Sequence, residues 1–305
     1  MQSSVKDLLD EIAVLRRERN AVILAHNYTT GDVQDVADHT GDSLELARRA
    51  ARVEADVIVF CGVYFMAETA KILNPSKTVL IPDALAGCPM ADMINAGQLR
   101  EFKAAHPGAK AVCYVNSTAE VKAQCDMCVT SGNAERVMRS FPPDEKILFV
   151  PDRHLGGHIA SLLGRRYELW QGCCPVHAKL TAGDIAAARA AHPGAVVMVH
   201  PECPEDVREA ADVALSTGGM CAFAKESPAS EFIVGTETGI LHRLVGENPD
   251  KKFHPAKSDL VCADMKKITL EKLRDSLAGM KTEVVLPEEI SARARRAIEA
   301  MLELG

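Results

Sequence analysis

Three of the ten cysteines in this 305-residue chain stand at a regular interval, with Cys88, Cys174 and Cys262 separated by 86 and 88 residues. Seven residues after each comes a side chain that caps helices well: Asn95, Thr181 and Thr269. The same count separates two adjacent candidates, because Cys173 lies eight residues before Thr181 and Cys174 lies seven. Three thiolates brought together suit either zinc or an iron–sulfur cluster. Structural zinc usually takes two close pairs of ligands, so single cysteines this far apart make a poor zinc clip. A cubane cluster on three cysteines fits better, and it leaves a fourth iron open to bind a substrate oxygen as a Lewis acid.

The other cysteines carry weaker signals. Cys125 and Cys128 form a Cys-x-x-Cys on a helix-like stretch at 119–128, which reads as a redox pair or half of a metal site. No second pair completes a zinc site, so a structural or secondary redox part is expected. Cys61, Cys113, Cys203 and Cys221 flank apolar runs or loops and read as small buried side chains.

The elements that must position these residues repeat as well. Ala-Ala-His-Pro-Gly-Ala occurs at 104–109 and again at 190–195. Each copy follows a helix-like stretch (99–105, 185–191) and precedes an apolar run (111–115, 196–199), with Pro-Gly as the turn between them. Residues 16–26 have the same plan, with the break at Asn20. The three units end in His26-Asn27-Tyr28, Tyr114-Val115-Asn116 and His200-Pro201-Glu202. Seventeen residues beyond His26, Tyr114 and His200 stand hydroxyls beside glycine, at Ser43, Ser131 and Thr217. Another apolar run follows each hydroxyl, at 57–61, 147–150 and 232–235. From His26 to Cys88, Tyr114 to Cys174 and His200 to Cys262 the intervals are 62, 60 and 62 residues.

Helix–strand alternation with three short strands per unit predicts α/β layers with parallel sheets. Ligands in such sheets bind at the carboxyl ends of strands, where the polar residues above fall. Hydroxyls at helix N-termini add natural carboxylate or phosphate sites. Three units about a pseudo-threefold axis would aim these strand ends at one central cavity. An extended array, with the repeat kept for packing, is the plainer alternative. The expected units are 1–92, completed by 270–305, then 93–178 and 179–269.

Composition agrees with a globular chain of two or three compact units, at 47% hydrophobic and 25% charged residues. A net charge of −7 argues against nucleic acid as partner. Residues 1–20 form a charged amphipathic stretch without the apolar core of a signal peptide. The most apolar segment, 57–67, is far short of a membrane helix. A soluble cytoplasmic protein, with no membrane partner, is expected.

Together these residues resemble the quinolinate synthase family of de novo NAD biosynthesis. The likeness runs through nearly the whole chain. It takes in His26-Asn27-Tyr28, Gly41-Asp42-Ser43-Leu44, Phe60-Cys61-Gly62-Val63, Phe65-Met66-Ala67-Glu68-Thr69-Ala70 and Ala86-Gly87-Cys88-Pro89-Met90-Ala91-Asp92. It continues through Tyr114-Val115-Asn116-Ser117, Thr130-Ser131, Pro151-Asp152, Trp170-x-Gly172-x-Cys174-x-Val176-His177, His200-Pro201-Glu202 and Cys262-x-x-Met265-Lys266. Some members carry a Cys-x-x-Cys-x-x-Cys at the last of these, whereas this chain has one cysteine there and resembles the shorter variant.

The resemblance implies three αβα domains in a triangle around a central [4Fe–4S] cluster held by Cys88, Cys174 and Cys262. It implies condensation of iminosuccinate with dihydroxyacetone phosphate to quinolinate, phosphate and water, coupled to an enzyme that oxidises L-aspartate. His26, Ser43, Tyr114, Asn116, Ser131, His200, Glu202 and Thr217 would line the iminosuccinate site. Glu202 is the best candidate general base, with His26, His200, Tyr114 and Tyr28 as further catalytic candidates. Two other classes remain in view: a different three-cysteine iron–sulfur enzyme, such as the diphthamide-forming radical enzymes or the diphosphate reductase of isoprenoid synthesis, and a zinc or redox sensor built on Cys125–Cys128.

Overall fold

The computed structural model describes residues 5–304, so the first four residues of the amphipathic N-terminal stretch lie outside the described residues. Its remainder is helical over Val5–Glu18 and buries Leu8 and Ile12. Twelve strands follow among the described residues, in three separate four-stranded sheets. The first sheet holds β1 (Ala21–His26), β2 (His39–Gly41), β3 (Val57–Cys61) and β4 (Thr78–Leu80). The second holds β5 (Lys110–Tyr114), β6 (Met127–Val129), β7 (Ile147–Val150) and β8 (Glu168–Leu169). The third holds β9 (Val196–Val199), β10 (Val213–Ala214), β11 (Glu231–Gly235) and β12 (Lys252–Pro255). All pairings between these strands are parallel, and the strand order is the same in each sheet: second, first, third, fourth. The chain is α/β, with helices flanking each sheet.

The inner strands form because their sequences suit burial on both faces. Val57–Cys61 reads Val-Ile-Val-Phe-Cys and is buried throughout, as is Ile147–Val150. Continuous apolar runs are what parallel strands covered on both sides require. Each unit has four strands rather than the three expected, because the outer ones are only two to four residues long and show no period. An aspartate fixes one outer strand per sheet. Asp38, Asp126 and Asp212 immediately precede β2, β6 and β10, and their carboxylates accept the backbone N–H of Ile23, Ala111 and Val197 at 2.9, 2.8 and 2.7 Å.

The helix expected over 119–128 is a single turn, Ala119–Lys122. The chain then leaves it to enter β6, with Asp126 clamped to β5, so Cys128 is a strand residue. Helix Leu270–Gly279 packs on Val5–Glu18 and β3, whereas Glu288–Leu304 lies across β6, Ala119–Lys122 and Tyr64–Leu73. Among the described residues no helix is long and apolar enough to cross a membrane.

Candidate active site

The central strands β1, β5 and β9 aim their carboxyl ends at one cavity. All twelve side chains singled out from the sequence line it, four from each repeat. Local structure explains the equal spacings. After β4, β8 and β12 the chain reaches Cys88, Cys174 and Cys262, and three residues later begins a 3-10 turn, at Ala91–Met93, His177–Lys179 and Met265–Lys267. Helices Ala96–Ala105, Ala182–Ala191 and Leu270–Gly279 follow, capped by the side chains of Asn95, Thr181 and Thr269.

Backbone N–H groups face the sulfur in all three loops. They come from Met90 and Ala91 for Cys88, Val176 and His177 for Cys174, and Asp264 and Met265 for Cys262. Burial outweighs them. It pushes the Cys88 thiol up to about 12 and raises Cys174 and Cys262 as well. A cation that displaces these protons relieves that cost, and N–H groups directed at thiolates are a feature of iron–sulfur sites. A tetrahedral zinc, with Zn–S near 2.3 Å, would hold its sulfurs about 3.8 Å apart. The three sulfurs here do not lie within 4.8 Å of one another. Among the described residues only Cys174–His177–Glu202 and His192–Glu231–His254 form groups that compact. The donor set therefore fits a cluster larger than one ion.

The three cysteine loops are tied to their neighbours. Trp170 Nε1 donates to Met93 O at 2.9 Å. Lys267 Nζ reaches Leu85 O at 2.6 Å. Lys266 Nζ donates to Tyr28 O at 2.5 Å and pairs with the buried Glu237 carboxylate at 2.9 Å. Glu237 in turn accepts Cys262 N–H at 3.1 Å. Close backbone approach matters at Gly172, where a Cβ would lie 2.4 Å from Pro151 O. Gly172→Ala is expected to displace the Cys174 loop and cost about 1–3 kcal/mol, seen as a lowered thermal midpoint. An unchanged midpoint would show that the loop moves freely.

Two histidines occupy equivalent places. His26 Nδ1 accepts the N–H of Tyr28 at 3.1 Å, and His200 Nδ1 accepts the N–H of Glu202 at 3.2 Å. Burial, together with the neighbouring histidines, pushes both down to about 3. Each ring is therefore neutral with its proton on Nε2, a donor that needs no charge. Ser131 Oγ lies 3.3 Å from His200 Nε2.

Glu202 is buried and accepts the Tyr114 O–H. Burial alone would raise its carboxyl, but the adjoining His177 ring and the Tyr114 hydroxyl lower it, and the group is ionised. Burial and the Glu202 charge raise both Tyr114 and Tyr28, so both phenols keep their protons. Ser43 and Thr217 open helices Ser43–Ala50 and Thr217–Glu226. The Asp42 carboxylate caps the first helix and reaches Gly218 N–H in the second at 3.3 Å. Asn116 Oδ1 is buried without a partner, an open acceptor on the cavity wall.

Some site groups escaped the spacing argument. His177 Nδ1 sits 2.8 Å from Glu202 Oε2, with its N–H off the line of contact. Its Nε2 meets Thr236 Oγ1 at 2.7 Å, and that hydroxyl meets Tyr28 OH at 2.5 Å. The positions equivalent to His177 are Ala91 and Met265, so no repeat marks it. Asp152 caps helix Arg153–Leu163 through Oδ1, leaving Oδ2 buried and unpaired. Burial and the Glu202 charge raise it to about 7. Pro151-Asp152 was visible only as part of the family likeness.

A family model described as quinolinate synthetase A protein matches residues 10–303. The quinolinate synthase of Dehalococcoides mccartyi is 54% identical over 294 residues, covering 96% of this chain and 97% of that protein. That of Thermus thermophilus is 53% identical over 307 residues, with 98% and 97% covered. That of Methanoregula boonei is 52% identical over 297 residues, with 97% and 98% covered. On a match of this extent, the chain belongs to the quinolinate synthetase A family of enzymes.

Proposed function

We propose that this enzyme condenses iminosuccinate with dihydroxyacetone phosphate to give quinolinate, with Cys88, Cys174 and Cys262 holding a [4Fe–4S] cluster. The stoichiometry closes with one phosphate and two waters released, so no external oxidant or reductant is needed. The observation that carries the reading is the junction of the three sheets. There, three thiols with directed backbone N–H groups share a cavity with neutral histidines and an ionised carboxylate. Bound there, the cluster would supply a Lewis-acidic iron, whose chemistry eases departure of a substrate hydroxyl from carbon as water.

The chain's own residues supply binding and proton transfer. Iminosuccinate is a dicarboxylate, and the Nε2–H groups of His26 and His200, with the Ser43, Ser131 and Thr217 hydroxyls, offer donors to its oxygens. Asn116 Oδ1, open as an acceptor, suits the imine N–H. Carbon–carbon bond formation, isomerisation and dehydration each need a proton taken from carbon or given to oxygen. Ionised Glu202 takes it at Oε1, and Tyr114 O–H, already donating to that carboxylate, returns a proton. The apolar wall of Val63, Phe65 and Met66 limits water, which would hydrolyse the imine. Iminosuccinate must come from a two-electron oxidation of L-aspartate, so an aspartate-oxidising enzyme is the functional neighbour.

The test is an anaerobic assay of cluster-replete enzyme with oxaloacetate, ammonia and dihydroxyacetone phosphate. Quinolinate and phosphate in equal amounts are expected. Absence of quinolinate from protein with full iron and sulfide overturns the proposal.

A further inference from the structure

Asn27 stands between two residues of the cavity wall, His26 and Tyr28, yet its own side chain is fully buried and is not part of that wall. Its Nδ2 donates to Thr217 Oγ1 at 3.1 Å. Its Oδ1 accepts from Arg243 Nη1, also at 3.1 Å. Arg243 belongs to helix Ile240–Glu247 of the third unit. The run of contacts therefore leaves that unit, crosses to the end of β1 and returns to the first residue of helix Thr217–Glu226. Two carboxylates steady the guanidinium, Glu247 at 2.7 Å from Nε and Glu45 at 3.3 Å from Nη1.

The direction of donation along this run is fixed. A guanidinium has donors only, so the amide turns its oxygen to Arg243 and its N–H to Thr217. The Thr217 oxygen accepts, and its own proton points elsewhere. That hydroxyl has no other hydrogen-bond partner among the described residues, and Thr217 lines the cavity, so its O–H faces whatever the cavity holds. The repeat does not impose the contact. The positions equivalent to Asn27 are Val115 and Pro201, whose side chains make no hydrogen bonds.

We propose that Asn27, oriented by Arg243, is a positioning residue that makes Thr217 a fixed hydrogen-bond donor to a carboxylate of the four-carbon substrate. The inference rests on the iminosuccinate reading above and adds which hydroxyl is committed as a donor and what commits it. The guanidinium behind the amide strengthens its N–H, and that bond in turn polarises the Thr217 O–H. A hydroxyl already set as a donor needs no reorientation when the anion arrives.

The test is Asn27→Asp in cluster-loaded enzyme, assayed anaerobically with oxaloacetate at fixed ammonia. The carboxylate keeps the size of the amide and its bond to Arg243, but it accepts where the amide donated, so Thr217 turns its proton away from the substrate. The apparent KM for oxaloacetate is expected to rise at least about tenfold. The KM for dihydroxyacetone phosphate should change far less, with thermal midpoint and cluster absorbance retained. Added to Thr217→Val, the same substitution should raise the KM by less than about twofold. Arg243→Met frees the amide to flip and is expected to give a smaller rise of the same kind, which carries the test should Asn27→Asp fail to fold. An unchanged KM for oxaloacetate, a rise confined to dihydroxyacetone phosphate, or a rise as large in the Thr217→Val background overturns the proposal. No quinolinate from the unsubstituted enzyme is a separate failure, which removes the iminosuccinate reading and this inference with it.

Discussion

Glu202→Gln is expected to lower turnover by about 10²–10⁴-fold while leaving the chain folded and its iron content unchanged. The substitution keeps shape and length but removes the only ionised carboxylate that accepts the Tyr114 O–H. The amide oxygen still accepts that bond, so the local structure has a partner for the phenol. What is lost is the ability to take a proton. The retained fold is checked by thermal melting and the cluster by absorbance. Near-normal turnover would remove Glu202 as the base and leave Asp152 as the next carboxyl to test, since it is buried beside Glu202 and raised to about 7. Tyr114→Phe separates two contributions: a fall comparable to that of Glu202→Gln places the phenol in proton transfer, and a small fall makes it a positioning group.

The repeat was legible because it is local. Pro-Gly turns, apolar runs and cap residues each depend on a few neighbours, and Asn95, Thr181 and Thr269 cap helices as their spacing implied. Another part of the same signal lay unused. Asp38, Asp126 and Asp212 each stand twelve residues after His26, Tyr114 and His200. They clamp outer strands too short to be read by pattern. The helix at 119–128 failed for a related reason. Its helical spacing is real for one turn, but pairing of β6 with β5 overrides propensity beyond Lys122.

Contacts that join different units were out of reach of spacing. His177, Thr236 and Tyr28 come together from the second cysteine-bearing turn, the end of β11 and the end of β1. No period in the chain links those positions. The same limit hid the partnership of Cys113 with Cys128, because strand register is a tertiary fact. Sequence reading set Cys113 aside and gave Cys125 and Cys128 to each other on the strength of their short interval.

The sharpest discrimination in the molecule lies between two adjacent residues. Cys174→Ala is expected to abolish turnover and reduce iron from about four atoms per chain to a trace, whereas Cys173→Ala keeps both. Cys174 lies in the cavity with Val176 and His177 N–H groups directed at its sulfur. Cys173 instead uses its backbone N–H to hold Met93 Sδ at 3.3 Å, and alanine keeps that N–H. Iron and sulfide analysis of anaerobically reconstituted protein gives the answer without recourse to activity. Equal iron in both variants would mean that the three-cysteine assignment is wrong. Zinc in place of iron in the unsubstituted chain would do the same, and would return attention to the compact Cys174–His177–Glu202 group. In the Cys174 variant, Cys88 and Cys262 remain as half-buried thiols whose charged forms are disfavoured. Two ligands of that kind do not hold a cluster against exchange with solvent thiols, so loss should be complete rather than partial.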